Sequence, residues 1–189
     1  DQINAGCYVF KRDVLEAIPA GRVVSVERET FPGLLDSGAR VFGHVDTSYW
    51  LDLGTPAAFV KGSADLVTGI APTAALPGPT GAALVLDGAH IAADARIVGG
   101  ATIGRGVEVG PGAVVDAAVV FDGAVIGDGA QVTRSVIGNH ARIGAGAVVA
   151  DAVIGDGAVV GDRCELINGV RVWPGVQLPD GGVRFSADG

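Results

Sequence analysis

From Ile91 to Leu178 aliphatic residues recur at roughly every sixth position, and glycine, small residues and turn formers fill the places between. Units opening at Ile103, Val109, Ile126, Ile143 and Ile154 share one order: an aliphatic residue, Gly, two turn-forming residues, then a small residue. A hexapeptide period of this kind predicts a parallel β-helix. Units open at Val120, Ile126 and Val132, then at Ile137, Ile143 and Val149, then at Ile154. The third unit of each set has five residues, as does the unit opening at Val115, so a coil takes 17 residues. Three flat faces per coil make a triangular prism with the leading aliphatics inside. The fifth-place residues Ala113, Ala130, Ala147, Ala158 and Cys164 are expected to point inward at tight corners. The glycines at 104, 110, 127, 144, 155 and 161 are expected to serve turns with unusual dihedrals.

The pattern ahead of the repeat is of a different kind. Residues 3–10 read as a buried strand after a small-residue turn. Asp13 reads as the cap of a short helix, with Glu16 three residues on and Pro19 ending it. Residues 23–32 lead into a second helical piece around Gly33 to Ser37. Residues 41–47 and 49–54 read as two strands or a hairpin. Thr55 then caps a helix that Pro56 opens and that runs to about Thr68. Residues 69–81, with Pro72, Pro77 and Pro79, read as a linker. The expected layout is an α/β part over 1–68, the linker, a β-helix over 82–180 and a loose tail over 181–189. Trp173 is expected to help cap the final coil.

Composition sharpens this picture in a few places. Aromatic residues make up only 5% of the 189 positions, which suits an interior of stacked Val, Ile and Ala. A formal charge of −8 argues against a nucleic-acid backbone or an anionic membrane as the main partner. No run approaches a membrane-spanning length and no signal-peptide pattern opens the chain, so a soluble, cytoplasmic protein is expected. Cys7 and Cys164 lie far apart and read as free thiols of a reducing compartment, the second a core residue. Methionine is absent, position 1 included, so the sequence is expected to be part of a longer product.

Candidate chemistry is sparse in the repeat. Hexapeptide β-helices include acyltransferases, which need a histidine base and often a loop pushed out of the coil. His90 and His140 fall in regular units without such a loop and read as surface or turn residues. The earlier part offers more. Residues 49–56 place Asp52 at an expected strand end beside Gly54 and a capped helix start. A carboxylate there is suited to Mg²⁺ while the helix N-terminus attracts phosphate, although a turn former would look the same.

Three segments in this order are more specific: residues 3–8 around Asn4 and Gly6, residues 25–32 around Glu27, and residues 49–56 around Asp52. With the β-helix behind them, they resemble sugar nucleotidyltransferases, most closely mannose-1-phosphate guanylyltransferases, over essentially the whole chain. The resemblance implies the C-terminal part of an α/β catalytic domain followed by a left-handed parallel β-helix of hexapeptide repeats. It implies that a sugar 1-phosphate and a nucleoside triphosphate give a nucleotide-sugar and pyrophosphate, with mannose and GTP as the favoured pair. Asn4, Gly6 and Glu27 would lie at the sugar, and Asp52 would be the catalytic carboxylate that helps hold Mg²⁺. The family's Gly-rich triphosphate loop, its first metal aspartate and its Glu-Lys pair have no counterpart in these residues. Glucose-1-phosphate thymidylyl-, uridylyl- or adenylyltransferases, a non-catalytic regulatory homologue and an acyltransferase stand as alternatives. Flat β-helix faces are expected to support homo-oligomers.

Overall fold

A computed structural model describes residues 2–76, 81–182 and 184–186. The chain divides into two compact units, Asp1–Trp50 and Leu51–Gly189.

The first unit holds two short helices, α1 (Arg12–Glu16) and α2 (Phe31–Asp36), with a π-helical turn over Val26–Thr30 immediately before α2. The turn is built from a reciprocal cap. Ser25 Oγ accepts from the Arg28 amide at 3.2 Å, and Glu29 Oε1 accepts from the Ser25 amide at 3.2 Å. Arg22 Nη1 holds the other Glu29 oxygen at 2.8 Å. Arg22 keeps the Glu29 carboxyl below its ordinary pKa, and the Ser25 amide adds to the effect. Helix therefore begins well before Gly33, where the sequence placed it, because Ser25 and Glu29 start it about two turns earlier.

Other expectations for this region fail. Lys11, not Asp13, stands at the α1 cap, and Asp13 Oδ1 instead accepts from the Val14 amide at 3.0 Å inside the first turn. Residues 3–10, 41–47 and 49–54 form no strand. Val9 is 98% exposed and Val23 95% exposed, and Phe42 is also open to solvent. A strand exists only where a neighbour completes its ladder of hydrogen bonds, and among the described residues these segments have none.

The second unit opens with α3 (Pro56–Thr68), which Thr55 caps by accepting from the Ala58 amide at 3.1 Å. Gly69 ends it in the left-handed conformation. The repeat follows, among the described residues, as eighteen short strands in three parallel six-stranded sheets. The first sheet contains β1 (Ala83–Val85), β4 (Ala101–Ile103), β7 (Val119–Val120), β10 (Val136–Ile137), β13 (Val153–Ile154) and β16 (Arg171–Val172). The second runs from β2 (His90–Ile91) to β17 (Gln177–Leu178), and the third from β3 (Arg96–Val98) to β18 (Arg184–Ser186). The strands of each sheet come from successive coils. This is the left-handed β-helix of about six turns that the period implies.

Register confirms the coil length where the sequence specified it. Ile103 pairs with Val120, Val120 with Ile137 and Ile137 with Ile154, each a step of 17. The outer coils step by 18, as in Val85 with Ile103 and Ile154 with Val172. The leading aliphatics form continuous inner columns, and Ala113, Ala130, Ala147, Ala158 and Cys164 are fully buried at corners. Ser135 occupies a corner column shared with Ala118 and Ala152. Its hydroxyl donates to the Thr133 carbonyl at 2.8 Å and accepts from the Ala152 amide at 3.0 Å, so burial leaves it satisfied.

The second-place glycines have another purpose than the one expected. None of the six has a positive φ. They are where one coil meets the next: a Cβ on Gly144 would stand 2.5 Å from the Asp162 amide nitrogen, and one on Gly127 2.8 Å from that of Ala145. The left-handed conformation belongs to the fourth place, as at Gly146 with φ 63°, and non-glycine residues such as His140 and Arg163 also adopt it there. Turn aspartates tie the coils further. Asp122, Asp156 and Asp162 accept from the Arg105, Asn139 and Ala145 amides of the preceding coil at 2.7, 2.7 and 2.8 Å.

Trp173 caps nothing. It lies 77% exposed at a corner, with β17 and β18 still to follow. Residues 77–80 of the expected linker, and 183 and 187–189 of the expected tail, lie outside the described residues; within that tail, Arg184–Ser186 pair with β15 (Glu165–Ile167). Cys7 is exposed and Cys164 buried, both as free thiols.

The two kinds of glycine separate in a stability experiment. Gly144→Ala should cost about 3 kcal/mol, because backbone rather than a flexible side chain must yield. Gly146→Ala should cost only about 1 kcal/mol, the penalty of left-handed backbone for an L-residue. Urea unfolding of the two variants measures the difference, and equal losses would contradict the coil-contact account.

Candidate functional site

In the first unit, three of the residues singled out in the sequence come together, and a fourth joins them. The Asn4 side chain folds back on its own loop, and Oδ1 accepts from the Gly6 amide at 2.9 Å. This orients the amide so that Nδ2 donates to Tyr8 Oη at 2.7 Å and to Glu27 Oε1 at 2.9 Å. Tyr8 Oη in turn donates to Glu27 Oε1 at 2.6 Å. Gly6 has φ 72°, a conformation that glycine accepts without strain. Asn4, Gly6 and Glu27, 23 positions apart at the extremes, are therefore one hydrogen-bonded cluster.

The cluster is open to solvent on the Asn4 and Glu27 side and backed by rings on the other. The Tyr8 ring meets Phe31 edge-on at 5.1 Å, and Phe10 stacks on Phe31 at 5.6 Å. Phe31 begins α2, directly after the π turn that carries Glu27. The bond to the Glu27 carboxylate raises the Tyr8 phenol above its ordinary pKa, against the opposing effect of the Asn4 amide. Tyr8 thus stays protonated and donating throughout the neutral range. Sequence reasoning passed over it, although Tyr8 stands four positions after Asn4 in the same motif.

Asp52 belongs to the second unit, just before α3. Its Oδ1 accepts from the Gly54 amide at 3.1 Å, so the carboxylate closes a small turn leading to Thr55 and the helix. Leu51 and Leu53 face Gly62 of α3, where an added Cβ would meet Leu53 Cδ2 at 2.8 Å and Leu51 Cδ2 at 3.3 Å. The segment is held by its leucines and leaves Asp52 exposed between them. Among the described residues no cluster of three or more His, Cys, Asp or Glu side chains is arranged to hold a metal ion. His90 lies exposed on β2, and His140 lies exposed in a turn with φ 55°.

Helix α3 packs on the outer face of the first sheet, with Val60 and Val67 buried and Phe59 stacked on Phe121 at 6.5 Å. Gly100 is required under it, since a Cβ there would come within 2.9 Å of the Ala64 backbone. Beside the helix runs an open groove of about 270 Å³, lined by Lys61, Asp65, Arg134 and Asp151 among others. Its charges are matched: Lys61 pairs with Asp65, and Arg134 makes a two-pronged contact with Asp151 at 2.8 and 2.7 Å. A wall of balanced pairs offers no net charge to a phosphate or a cation. Among the described residues no helix is long and apolar enough to cross a membrane.

A nucleotidyltransferase-like segment joined to a hexapeptide β-helix is the class these elements define, and comparison with known proteins agrees. Residues 80–181 match the family model described as GMPPB C-terminal domain, and residues 1–69 match the one described as Nucleotidyl transferase. The chain belongs to the GMPPB C-terminal domain family, with part of a nucleotidyl transferase domain ahead of it.

Mannose-1-phosphate guanylyltransferase of Mycobacterium tuberculosis is 59% identical over 189 residues, all of this chain and 53% of that protein. The mannose-1-phosphate guanylyltransferase catalytic subunit beta of Drosophila pseudoobscura pseudoobscura is 36% identical over 62 residues, 33% of this chain and 16% of that protein. Mannose-1-phosphate guanyltransferase of Candida albicans is 33% identical over 70 residues, 37% of this chain and 19% of that protein. The chain spans about half the length of the M. tuberculosis protein and much less of the other two. The crystal structure of PerB from Caulobacter crescentus, in complex with CoA and GDP-perosamine, shares 26% identity over 56% of this chain and 50% of that one. Its TM-score of 0.21 is too low to bear on fold or function.

The Arg134–Asp151 pair gives a pH prediction. The Arg134 hydrogen bonds hold the Asp151 carboxyl below its usual range, with burial opposing them. A depressed native pKa stabilises the fold above the unfolded value, about 3.9, and that contribution disappears as pH falls through the native value. Both groups are half-exposed, so Asp151→Asn should cost only about 0.5 kcal/mol at neutral pH. The difference should close as pH falls through the native value. Thermal unfolding of the two proteins across pH checks the sign.

Proposed function

We propose that the full-length protein is a mannose-1-phosphate guanylyltransferase, converting mannose 1-phosphate and GTP to GDP-mannose and pyrophosphate. The 59% identity to the M. tuberculosis enzyme carries this reading, because it spans the β-helix and the catalytic-domain segment alike. On this reading residues 1–68 are the C-terminal part of the catalytic domain and residues 82–180 the β-helix, with 69–81 joining them. The exposed Ile3, Val9, Val23 and Phe42 support a first unit that normally packs against more protein.

In the reaction a phosphate oxygen of the sugar 1-phosphate attacks the α-phosphorus of GTP in line. The new P–O bond forms as the bond from the α-phosphorus to the bridging oxygen breaks, and pyrophosphate leaves with that electron pair. No covalent intermediate on the protein is needed, so positioning and charge neutralisation are the protein's contribution. Asn4, Gly6 and Glu27 hold the sugar by its hydroxyls, since a carboxylate at this point repels the phosphate end. Asp52 is the catalytic carboxylate and the chain's own candidate ligand for Mg²⁺. An exposed carboxylate with one oxygen engaged by an amide is compatible with such an ion, which takes one or two carboxylates plus phosphates and water. When bound, the ion neutralises phosphate charge as a Lewis acid.

The assembly is proposed to be a homo-oligomer formed through β-helix faces. On the first sheet Val136 and Val153 are only partly buried beyond α3, with exposed Phe121 and Trp173 beside them. A net charge of −8 speaks against nucleic acid or an anionic membrane as partner. The free thiols suit the cytoplasm.

Pyrophosphate release by the full-length protein with Mg²⁺ tests the reading, run over a grid of sugar 1-phosphates and nucleoside triphosphates. Activity is expected with mannose 1-phosphate and GTP, and Asp52→Asn, which keeps the turn to Gly54, should lower kcat by about a hundredfold or more. Residues 1–189 alone should release none. Turnover confined to another pair would replace the substrates, and silence over the grid would favour a regulatory homologue.

A further inference from the structure

The direction of every bond in the Asn4–Tyr8–Glu27 cluster is fixed by what each group can do. An ionised carboxylate only accepts, so the Tyr8 hydroxyl proton must point at Glu27 Oε1. The phenol has then given its one proton, so Asn4 Nδ2 is the donor in the second contact. Asn4 Oδ1 is the acceptor for the Gly6 amide, which leaves its orientation no freedom. The chain of donors therefore runs from the Gly6 backbone through Asn4 and Tyr8 to Glu27. Nδ2 donates toward both Tyr8 Oη and Glu27 Oε1, which stand side by side. Two donors converge on Oε1, and among the described residues no hydrogen bond engages Oε2.

We propose that Tyr8 is a positioning residue of the sugar site: its hydroxyl, braced by Asn4 and by the Phe31 ring, fixes the Glu27 carboxylate so that Oε2 accepts from a sugar hydroxyl. This rests on the sugar-site reading given above and adds the residue that makes it rigid. Glu27 is otherwise an exposed side chain with several rotatable bonds on a single helical turn. Holding it costs rotamer entropy that Tyr8 and Asn4 meet before ligand arrives. The ring packing of Tyr8 on Phe31 and Phe10 is separate from its hydroxyl, so Tyr8→Phe removes the brace and keeps the packing.

The experiment is calorimetric titration of mannose 1-phosphate into the full-length protein, with steady-state kinetics alongside, for wild type, Tyr8→Phe, Glu27→Gln and the double variant. Tyr8→Phe should raise Kd and KM for mannose 1-phosphate about tenfold, the loss of one hydrogen bond to a charged group. KM for GTP and kcat should stay within about twofold, since the hydroxyl acts on sugar binding alone. The melting temperature should be unchanged, and the double variant should bind no worse than Glu27→Gln, because Tyr8 acts through that carboxylate.

If Glu27→Gln weakens sugar binding and Tyr8→Phe does not, the Tyr8 role is overturned and the site reading stands. Additive losses in the double variant would also overturn it. If neither variant alters binding of mannose 1-phosphate, the sugar site itself is misplaced and Tyr8 falls with it.

Discussion

Close approach of one coil to the next governs this molecule. Parallel strands must come within about 4.8 Å to share hydrogen bonds. In a β-helix every coil has to do so at three faces and three corners at once. The faces pose little difficulty, since Val and Ile stack on their own kind. The corners are harder, because the chain turns there and its side chains would strike the coil alongside. Second-place glycine removes the obstruction, small fifth-place residues fill the inside of the bend, and a turn aspartate takes up an amide of the neighbouring coil. Each device is local, and repetition makes it a scaffold.

The scaffold in turn sets what can rest on it. The first sheet carries an outward apolar strip, and α3 lies on its early coils with Val60 and Val67 turned inward. Gly100 permits that contact by leaving room for the Ala64 backbone. Through Leu51 and Leu53, which pack toward Gly62, the segment bearing Asp52 is tied to α3 and thereby to the β-helix. A carboxylate at the head of a helix anchored on a rigid prism is thus placed by packing rather than by a network of its own.

The cluster in the first unit follows the opposite principle. Asn4, Tyr8 and Glu27 are held by hydrogen bonds among themselves, on short helical turns with little buried surface. Its order comes from directional valency: the phenol has one proton to give, the amide nitrogen only donates and the carboxylate only accepts. Such an arrangement presents acceptors, which suits hydroxyl donors and rejects phosphate.

The sequence alone determined the β-helix, its 17-residue coils, the inner columns and the capped helix at Thr55, because each depends on spacing along the chain and on residues adjacent to one another. It also named Asn4, Gly6 and Glu27, through a resemblance rather than through spacing. Tertiary structure decided what depends on neighbours distant in sequence. It turned the second-place glycines from turn formers into contact points, since their constraint lies in the next coil. It withheld the strands expected over 3–10, 41–47 and 49–54, since alternation of residue types cannot supply a pairing partner. And it joined Tyr8 to Glu27, because nothing in a tyrosine's position along the chain says that its hydroxyl meets a glutamate 19 residues on.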